Sequence, residues 1–381
     1  MKKKKAPIVD TNTEVPDRNY PQHIEYVTEF HIPKGQGPER IDSFLTHSME
    51  GASRTKVREA IDEGRVVING QPAKPSRKVQ PGDHIVCTIL KPPPLQLIPE
   101  DIPLDIYYED EHLLVVNKPA GLVVHPGFGN RYGTLVNALL YHFGQREAVE
   151  IEPIDEADAE NSDSEGDEEI EPIPEFKTDI FKSDVIRPGI VHRLDKETSG
   201  LLVVAKSSAV HAGLALQFKN RTVQREYNTI VWGVVKEQHQ VVETQIGRSH
   251  RDRMLFMVLP KGGKTAKSEF TVLERYDFAT LLKCKLHTGR THQIRVHTSH
   301  LGHIVLGDER YGGRETAARA TATQFRKRAE EALRIMKRQA LHARTLGFYH
   351  PVTEQWLEFS TPLPQDFEQL LKLLRETAPR N

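Results

Sequence analysis

Between Glu150 and Glu175 the chain carries 13 acidic residues and no Lys or Arg. A stretch so charged and so poor in apolar side chains cannot bury enough surface to offset the entropy of ordering it. No packed core can run through it. Residues 146–182 are therefore expected to form a disordered insertion, and the domain around it must be assembled from segments on both sides. The same block distorts the charge balance. The whole chain has 52 basic and 53 acidic residues, a formal charge of -1; without the 13 acids the balance is 52 against 40, a formal charge of +12. A basic body carrying one acidic segment points to a polyanionic partner.

At 381 residues the chain is long enough for two or three domains. Residues 1–35 are rich in charge and proline and are expected to be mostly a disordered tail, with a strand at Ile24–Ile32. The start, Met1 to Lys5, has no apolar stretch behind it and reads as a solvated basic tail rather than a signal peptide. Residues 36–91 read as a small α/β domain. Ile41, Phe44 and Leu45 share one helical face. Ser53 can cap a second helix whose apolar positions are Val57, Ala60 and Ile61, closed by Gly64. Arg65–Ile68 reads as a strand, Asn69-Gly70 as a tight turn and His84–Leu90 as a further strand. Arg54, Lys56, Arg58, Arg65, Lys74, Arg77 and Lys78 give this unit a basic face.

Lys91-Pro92-Pro93-Pro94 reads as a stiff linker. Residues 92–375 then make a second domain around the acidic insertion. Strands are predicted at Glu111–Val116, Leu201–Ala205, Glu226–Val235, Ser268–Leu273 and Leu281–Leu286. Helices are predicted at Leu135–Phe143 and, on the surface, Thr316–Gln339. The strands show no regular βαβ alternation, so the fold class is α+β, a mixed and largely antiparallel sheet with flanking helices. No apolar run reaches bilayer length. Cys87 and Cys284 each sit in an apolar, strand-like segment, which suits small buried hydrophobes better than a disulfide or a zinc site. These features together point to a cytoplasmic protein. With no coiled coil or interface stripe, monomer is the default.

Three segments carry side chains with chemical potential. His192-Arg193-Leu194-Asp195-Lys196-Glu197-Thr198-Ser199-Gly200 sets one carboxylate between two cations, in a turn that leads into an apolar strand. Nearby positive charge keeps such a carboxylate ionised, as a nucleophile or base requires. A structural aspartate bonding turn amides fits the same residues. The segment Leu286 to His297 groups Arg290, Arg295, Thr288, Thr291 and Gln293, which can bind phosphates or pair with a carboxylate through the guanidinium fork. His292, His297, His300 and His303 lack the glutamate of a helical zinc motif and read as backbone-bonding or RNA-contacting residues, so no metal is expected. Lys261-Gly262-Gly263-Lys264-Thr265 lacks the first glycine of a phosphate loop, Val258 standing there, and reads as a basic hairpin turn. No dinucleotide fingerprint follows a strand, and no organic or nucleotide cofactor is expected. Tyr227 can stack on a nucleobase or pack as an ordinary strand tyrosine.

The two helices, hairpin and basic face of residues 36–91 resemble the S4 RNA-binding module, most clearly from Arg54 to Gly70. The larger domain resembles the RluA/RluD family of RNA pseudouridine synthases. The matching stretches are Lys118 to Pro126, His192 to Asp195 with Thr198-Ser199-Gly200, Arg225-Glu226-Tyr227, Thr288 to Arg295, Gly307-Asp308 with Tyr311-Gly312, and Gln339 to Ala343. They follow the family's order over roughly residues 36–370, broken only by the insertion. An S4 module ahead of the catalytic domain resembles the branch that modifies large-subunit (23S) ribosomal RNA.

The resemblance implies a pseudouridine-synthase-type sheet and a reaction in which uridine is detached at N1, rotated and rejoined through C5. It implies Asp195 as the catalytic carboxylate, Arg295 as the cation that orients it, and Tyr227 as the residue that stacks on the base and helps handle the C5 proton. Arg193 would contact the backbone or fill the gap left by the extruded base, and Arg290 would contact phosphate. His292, Lys118, Arg54, Lys56, Arg58, Arg77 and Lys78 would complete the RNA contacts. A base inside a helix cannot reach a side chain, so extrusion is required, at a cost of a few kcal/mol. Other readings are a non-catalytic RNA-binding factor in ribosome assembly, a transfer-RNA pseudouridine synthase, and a metal-dependent hydrolase using the histidine run.

Overall fold

The computed structural model describes residues 24–49, 52, 54–91, 95–126, 130, 132–151, 189–249, 251–252 and 255–376. The tail before residue 24, the Ser53 cap, the three linker prolines and the insertion from residue 152 onward lie outside the described residues. The chain divides into two compact units, the first up to Leu95 together with a segment that begins at Glu150, the second from Gln96 to Val149 and over the rest of the described residues.

In the first unit, helices Ile41–Ser48 and Arg54–Asp62 pack on a four-stranded sheet ordered Ile24–His31, His84–Lys91, Val66–Ile68, Gln71–Pro72. The core is the apolar face expected for these helices. Ile41, Phe44, Leu45, Val57, Ala60 and Ile61 close over Val66, Ile68, Ile85, Cys87 and Ile89. Gly64, Asn69 and Gly70 take positive φ values, which ends the second helix and makes the tight turn of the hairpin.

The second unit is built on an 11-stranded sheet. From one edge its order is Phe256–Leu259, His239–Arg248, Lys264–Arg275, Ala279–Leu286, Gln224–Trp232, Leu341–Tyr349, Ser199–Ala205, Leu113–Lys118 and Ile106–Glu109. Trp356–Ser360 adds to Leu341–Tyr349, and Gly189–Ile190 to Ser199–Ala205. Pairing is antiparallel except between Ser199–Ala205 and Leu341–Tyr349, which touch only at Ser199–His342 and Gly200–Ala343. That short parallel contact is a seam between two antiparallel halves. Gly200 sits in it at φ +121°, and a Cβ there would lie 2.2 Å from the Ala343 carbonyl oxygen. All seven residues of Ser199–Ala205 are buried. On one face, helix Ser208–Lys219 covers the strand with Val210, Leu214 and Phe218. Ser207 caps that helix, its hydroxyl accepting from the Val210 amide.

Three expectations need correction. Val149–Ile151 is a strand, so order extends into the segment read as an insertion; its Val-Glu-Ile alternation precedes the densest acidic run. The surface helix expected over Thr316–Gln339 is broken into Glu315–Ala320, a 3₁₀ turn at Thr323–Phe325 and Arg326–Ile335. Thr321 and Ala322 are extended at the break, where threonine flanks alanine on both sides and helix propensity is weak. The Lys261 to Lys264 turn does not close a hairpin. It carries the chain from one side of His239–Arg248 to the other, because Phe256–Leu259 and Lys264–Arg275 both pair with that strand. Cys87 and Cys284 are buried free thiols, and burial pushes the Cys87 pKa up to about 11. Among the described residues no helix is long and apolar enough to cross a membrane.

Candidate active site

The turn that carries Asp195 leads straight into the seam. The Thr198 amide donates to the Asp195 carbonyl at 3.0 Å, which closes the turn. Groups distant in sequence fix its far side. Arg338 donates to the Glu197 carbonyl at 3.0 Å and is itself held by both oxygens of Asp366. Gln339 donates to the Thr198 hydroxyl at 3.2 Å, and Ser199 Oγ meets His342 Nδ1 at 3.0 Å.

Lys118 departs from the expectation of an RNA contact. It is fully buried and its Nζ donates to the carbonyls of Pro119, Leu122 and Lys196 at 2.8, 2.8 and 3.1 Å. Burial lowers its pKa to about 7, against the pull of Asp195 and Glu197. It ties the Pro119–Leu122 loop to the Asp195 turn from inside and has no surface to offer RNA.

Opposite the turn stands helix Gln293–His300. Arg295, 4% exposed, donates from Nη1 to Asp195 Oδ2 at 2.9 Å. Its Nε and Nη2 grip Asp308 at 2.6 and 2.9 Å, and its guanidinium lies 4.9 Å from the Tyr311 ring centroid. One buried guanidinium thus serves two carboxylates. Burial opposes the charge of Asp195, but His292, Arg295 and Arg193 outweigh it and hold the carboxyl below its ordinary pKa. His292 itself is lowered to about 4 by burial, so near neutral pH the two arginines do this work. Asp195 Oδ1 has no hydrogen bond among the described residues.

The segment before the helix is held as tightly. Gln293 Oε1 accepts from the Thr288 hydroxyl at 2.7 Å and the Arg290 amide at 2.9 Å, while its Nε2 donates to the Lys267 carbonyl and Ser268 Oγ. Thr288 also accepts from the Lys267 amide at 2.8 Å. Thr288 and Gln293, read above as phosphate ligands, are buried staples that shape the loop. His292 adopts a left-handed conformation at φ 56°, and its Nδ1 meets the Tyr311 hydroxyl at 3.0 Å. Such strain in a residue other than glycine persists only where neighbours enforce it, and it clusters at functional sites.

Between turn and helix lies an open cleft, lined by Arg193, Asp195, Arg225, Tyr227, Arg290 and His292 among others. Tyr227 is buried to 7% exposure, and its hydroxyl makes no hydrogen bond among the described residues. A register shift in the pairing of Gln224–Trp232 with Leu341–Tyr349 falls beside it, between Glu226 and Tyr227. The extra residue is Arg344 on Leu341–Tyr349, and Gln224–Trp232 keeps an unbroken register with Ala279–Leu286. Burial raises the Tyr227 pKa to about 12. Arg193 is exposed at the cleft, and Arg290 donates from Nε to the Thr265 carbonyl at 3.0 Å.

The structure therefore gathers Asp195, Tyr227, Arg295, Arg193, Arg290 and His292 around one cleft. The remaining RNA-contact candidates lie on the first unit. Arg54, Arg58 and Lys78 are exposed there and Lys56 is half-buried. Arg77 pairs with the buried Asp83 at 3.3 Å, so its charge is already engaged. Asp308, Tyr311, Arg338 and Gln339 were matched only as motif letters or not at all; the structure gives them contacts. The histidine run does not converge. His297 bonds Thr244 and Ser268, and His303 meets the Trp232 carbonyl. Among the described residues, the group with metal-ligand proximity is Glu29, His31 and His84 on the first unit.

Comparison with known proteins extends this picture. A family model described as RNA pseudouridylate synthase matches residues 112–300, and an S4-domain model matches residues 39–85. An uncharacterized RNA pseudouridine synthase of Chlorobaculum parvum is 45% identical over 347 residues, covering 90% of this chain and 96% of that one. A Bacillus subtilis RNA pseudouridine synthase, also uncharacterized, is 40% identical over 341 residues, covering 90% and 96%. The ribosomal large subunit pseudouridine synthase D of Zymomonas mobilis is 40% identical over 339 residues, covering 88% and 93%. Similarity at this level runs through nearly the whole length of each relative, so the chain belongs to the RNA pseudouridylate synthase family and is an RNA pseudouridine synthase with an S4 domain.

Proposed function

We propose that this enzyme isomerises uridine in large-subunit (23S) ribosomal RNA, with Asp195 as the group that opens the glycosidic bond of an extruded nucleotide. The observation that carries this reading is the state of Asp195. Its Oδ2 is fixed by Arg295 while Oδ1 has no hydrogen bond among the described residues, and the side chain lines the cleft. An ionised acid with one anchored and one unengaged oxygen can meet the sugar or the base. Because Arg295 also serves Asp308, its charge orients Asp195 without fully neutralising it.

Tyr227 stacks on the base in this reading. Its raised pKa keeps it protonated near neutral pH, so it offers a ring face and a hydroxyl donor rather than a phenolate base. Arg193 and Arg290 hold the flanking backbone, and the phosphate contacts of the basic body offset the cost of extrusion. No group enters or leaves the product, so the chemistry calls for no donor. Residues 36–91, completed by the strand Ile24–His31, act as the S4-like RNA-binding domain and 92–375 as the catalytic domain, with the insertion 146–182 outside the chemistry. The ribosomal target is supported by the S4 domain and by the names of relatives such as ribosomal large subunit pseudouridine synthase D. We propose that it acts in the cytoplasm and as a monomer.

Asp195→Asn keeps the shape of the side chain and removes its charge. The variant is expected to bind 23S RNA within about threefold of wild type and to lose turnover. Pseudouridine mapped in 23S RNA from a deletion strain should return with the wild-type gene and not with this variant. Turnover by Asp195→Asn would refute the assigned role. Sites restored only in transfer RNA would refute the ribosomal target.

A further inference from the structure

The strand Gln224–Trp232 brings a second side chain to the cleft besides Tyr227. Arg225 lies two positions before it and so on the same face of the strand; both are buried and both line the cleft. The Arg225 guanidinium makes no ion pair and no hydrogen bond among the described residues, and its Nε is enclosed without a partner. The other buried guanidinium groups among the described residues are compensated. Arg295 has Asp308 and Asp195, and Arg338 has Asp366. A buried charge without a partner is costly and is kept where something else completes it.

The group is also held in place. The Phe218 ring centroid lies 5.3 Å from its Cζ. On another side Gly289 approaches so closely that a Cβ there would sit 2.8 Å from Nη1. The arginine is therefore pre-placed, dry and facing the cleft beside the stacking tyrosine. An RNA phosphate is one anion that could meet it. Phosphates, however, lie on the outside of an extruded nucleotide, where the exposed Arg193 is better placed. The base is what enters the cleft.

Breaking the C1′–N1 bond sends its electron pair to the base, where the charge spreads to the carbonyl oxygens. We propose that Arg225 binds a uracil carbonyl oxygen and stabilises the detached uracil anion between cleavage at N1 and bond formation at C5. The deficit at the sugar is met at the Asp195 carboxylate and released when C5 bonds to C1′; C5 then gives up its proton and N1 gains one, so the atoms balance. A pre-placed donor aimed at charge that appears only during reaction is the arrangement that lowers a barrier most effectively. A guanidinium has donors only, so the contact also favours uracil, with two carbonyls, over cytosine, with an amino group at C4. This inference rests on Asp195 acting as proposed above.

The test uses full-length Arg225→Gln and Arg225→Met with a 23S RNA fragment carrying the target uridine. The single-turnover rate at saturating RNA should fall about 10²–10³-fold, as when one oxyanion donor is removed. RNA affinity and its salt dependence should stay within about twofold. The RNA-free protein should melt higher as Arg225→Met, because an uncompensated charge has been replaced by an apolar chain of similar shape. An unchanged saturating rate overturns the inference. So does a loss of affinity with a salt slope smaller by about 0.7–0.9 and the rate preserved, which would make Arg225 a phosphate contact. A lower melting temperature for Arg225→Met would show that the arginine has its partner within the fold, and overturns it as well. Asp195→Asn, run in parallel, separates the two readings. Turnover there sinks both, whereas a dead Asp195→Asn beside a fully active Arg225→Gln sinks only this one.

Discussion

Asp308→Asn probes the part of the site that lies behind Asp195. Asp308 is 1% exposed and accepts from Arg295 Nε and Nη2 at 2.6 and 2.9 Å. Asparagine fits the space but turns a donor toward one of those nitrogens. Hydrogen bonds to charged groups are worth about 1.5–3 kcal/mol each. Breaking a buried pair outright costs about 3–5 kcal/mol. Arg295 is not orphaned here, since Asp195 still holds Nη1 at 2.9 Å. The lower end applies, about 3 kcal/mol. At about 2–4 °C per kcal/mol for a unit of this size, the melting temperature should drop by about 6–12 °C.

The same change loosens the rear anchor of Arg295, and Asp195 moves with it. Misplacement by about 1 Å costs on the order of 10² in rate. The pH profile separates positioning from simple loss of stability. Asp195 is held below its ordinary pKa, so the rate is full through neutrality and is lost only as pH falls through that lowered value. With Asp308 uncharged, the guanidinium belongs to Asp195 alone. The Asp195 pKa then drops further, and the acid limb of the single-turnover rate moves to lower pH. Calorimetry and a single-turnover assay across acid pH read both effects. A melting temperature within about 1 °C of wild type, together with an unmoved acid limb, would show that Asp308 does not position Asp195.

Two further predictions test the outlying assignments. Lys118→Met should lower the melting temperature, because three carbonyls lose their donor, and should leave RNA affinity unchanged; weaker RNA binding by the folded variant would restore Lys118 as a contact. Lys118 has a pKa of about 7 in the fold, below the ordinary lysine value, so between the two the unfolded chain holds a proton the folded one has released. Wild-type stability should gain from this as pH rises above 7, and the variant should lack that gain. Arg54→Glu with Arg58→Glu should weaken RNA binding and reduce the salt slope by about 0.7–0.9 per lost contact, with the saturating rate kept. An unchanged slope would remove the exposed face of helix Arg54–Asp62 from the RNA interface.

The pairing of Asp195 with Arg295 was legible because each sits in a short run with strong local meaning. Asp195 lies in a turn beside an apolar strand, and Arg295 in a segment dense with polar side chains. The groups that hold them were harder to read. Arg338 and Gln339 reach the Asp195 turn across about 140 residues of chain, and no local pattern connects them. Thr288 and Gln293 were visible, but polarity alone does not distinguish a residue that binds phosphate from one that staples a loop. Burial does, and burial here depends on the Lys264–Arg275 strand passing beneath. Lys118 shows the same limit. A lysine before Pro-Ala-Gly reads as a surface charge until three inward carbonyls are seen around it.

The seam explains why this site tolerates an ionised acid at depth. The two halves of the sheet share only two parallel residue pairs, and the Asp195 turn stands at the end of that contact. From one half come Asp195 and the Lys118 loop; from the other come Tyr227, Arg225 and the segment leading to Arg295. Charge is therefore balanced across the seam, where Arg295 on one side binds Asp195 on the other, while Arg338 donates to the Glu197 backbone carbonyl. A carboxylate in a continuous strand would meet only neighbours of its own half, and burial would push it toward the neutral form. At the junction it meets a guanidinium already fixed by Asp308, while the gap between the halves leaves its other oxygen open to a ligand. The glycine at position 200 is the steric condition for that arrangement, since any side chain there would strike Ala343 and force the halves apart.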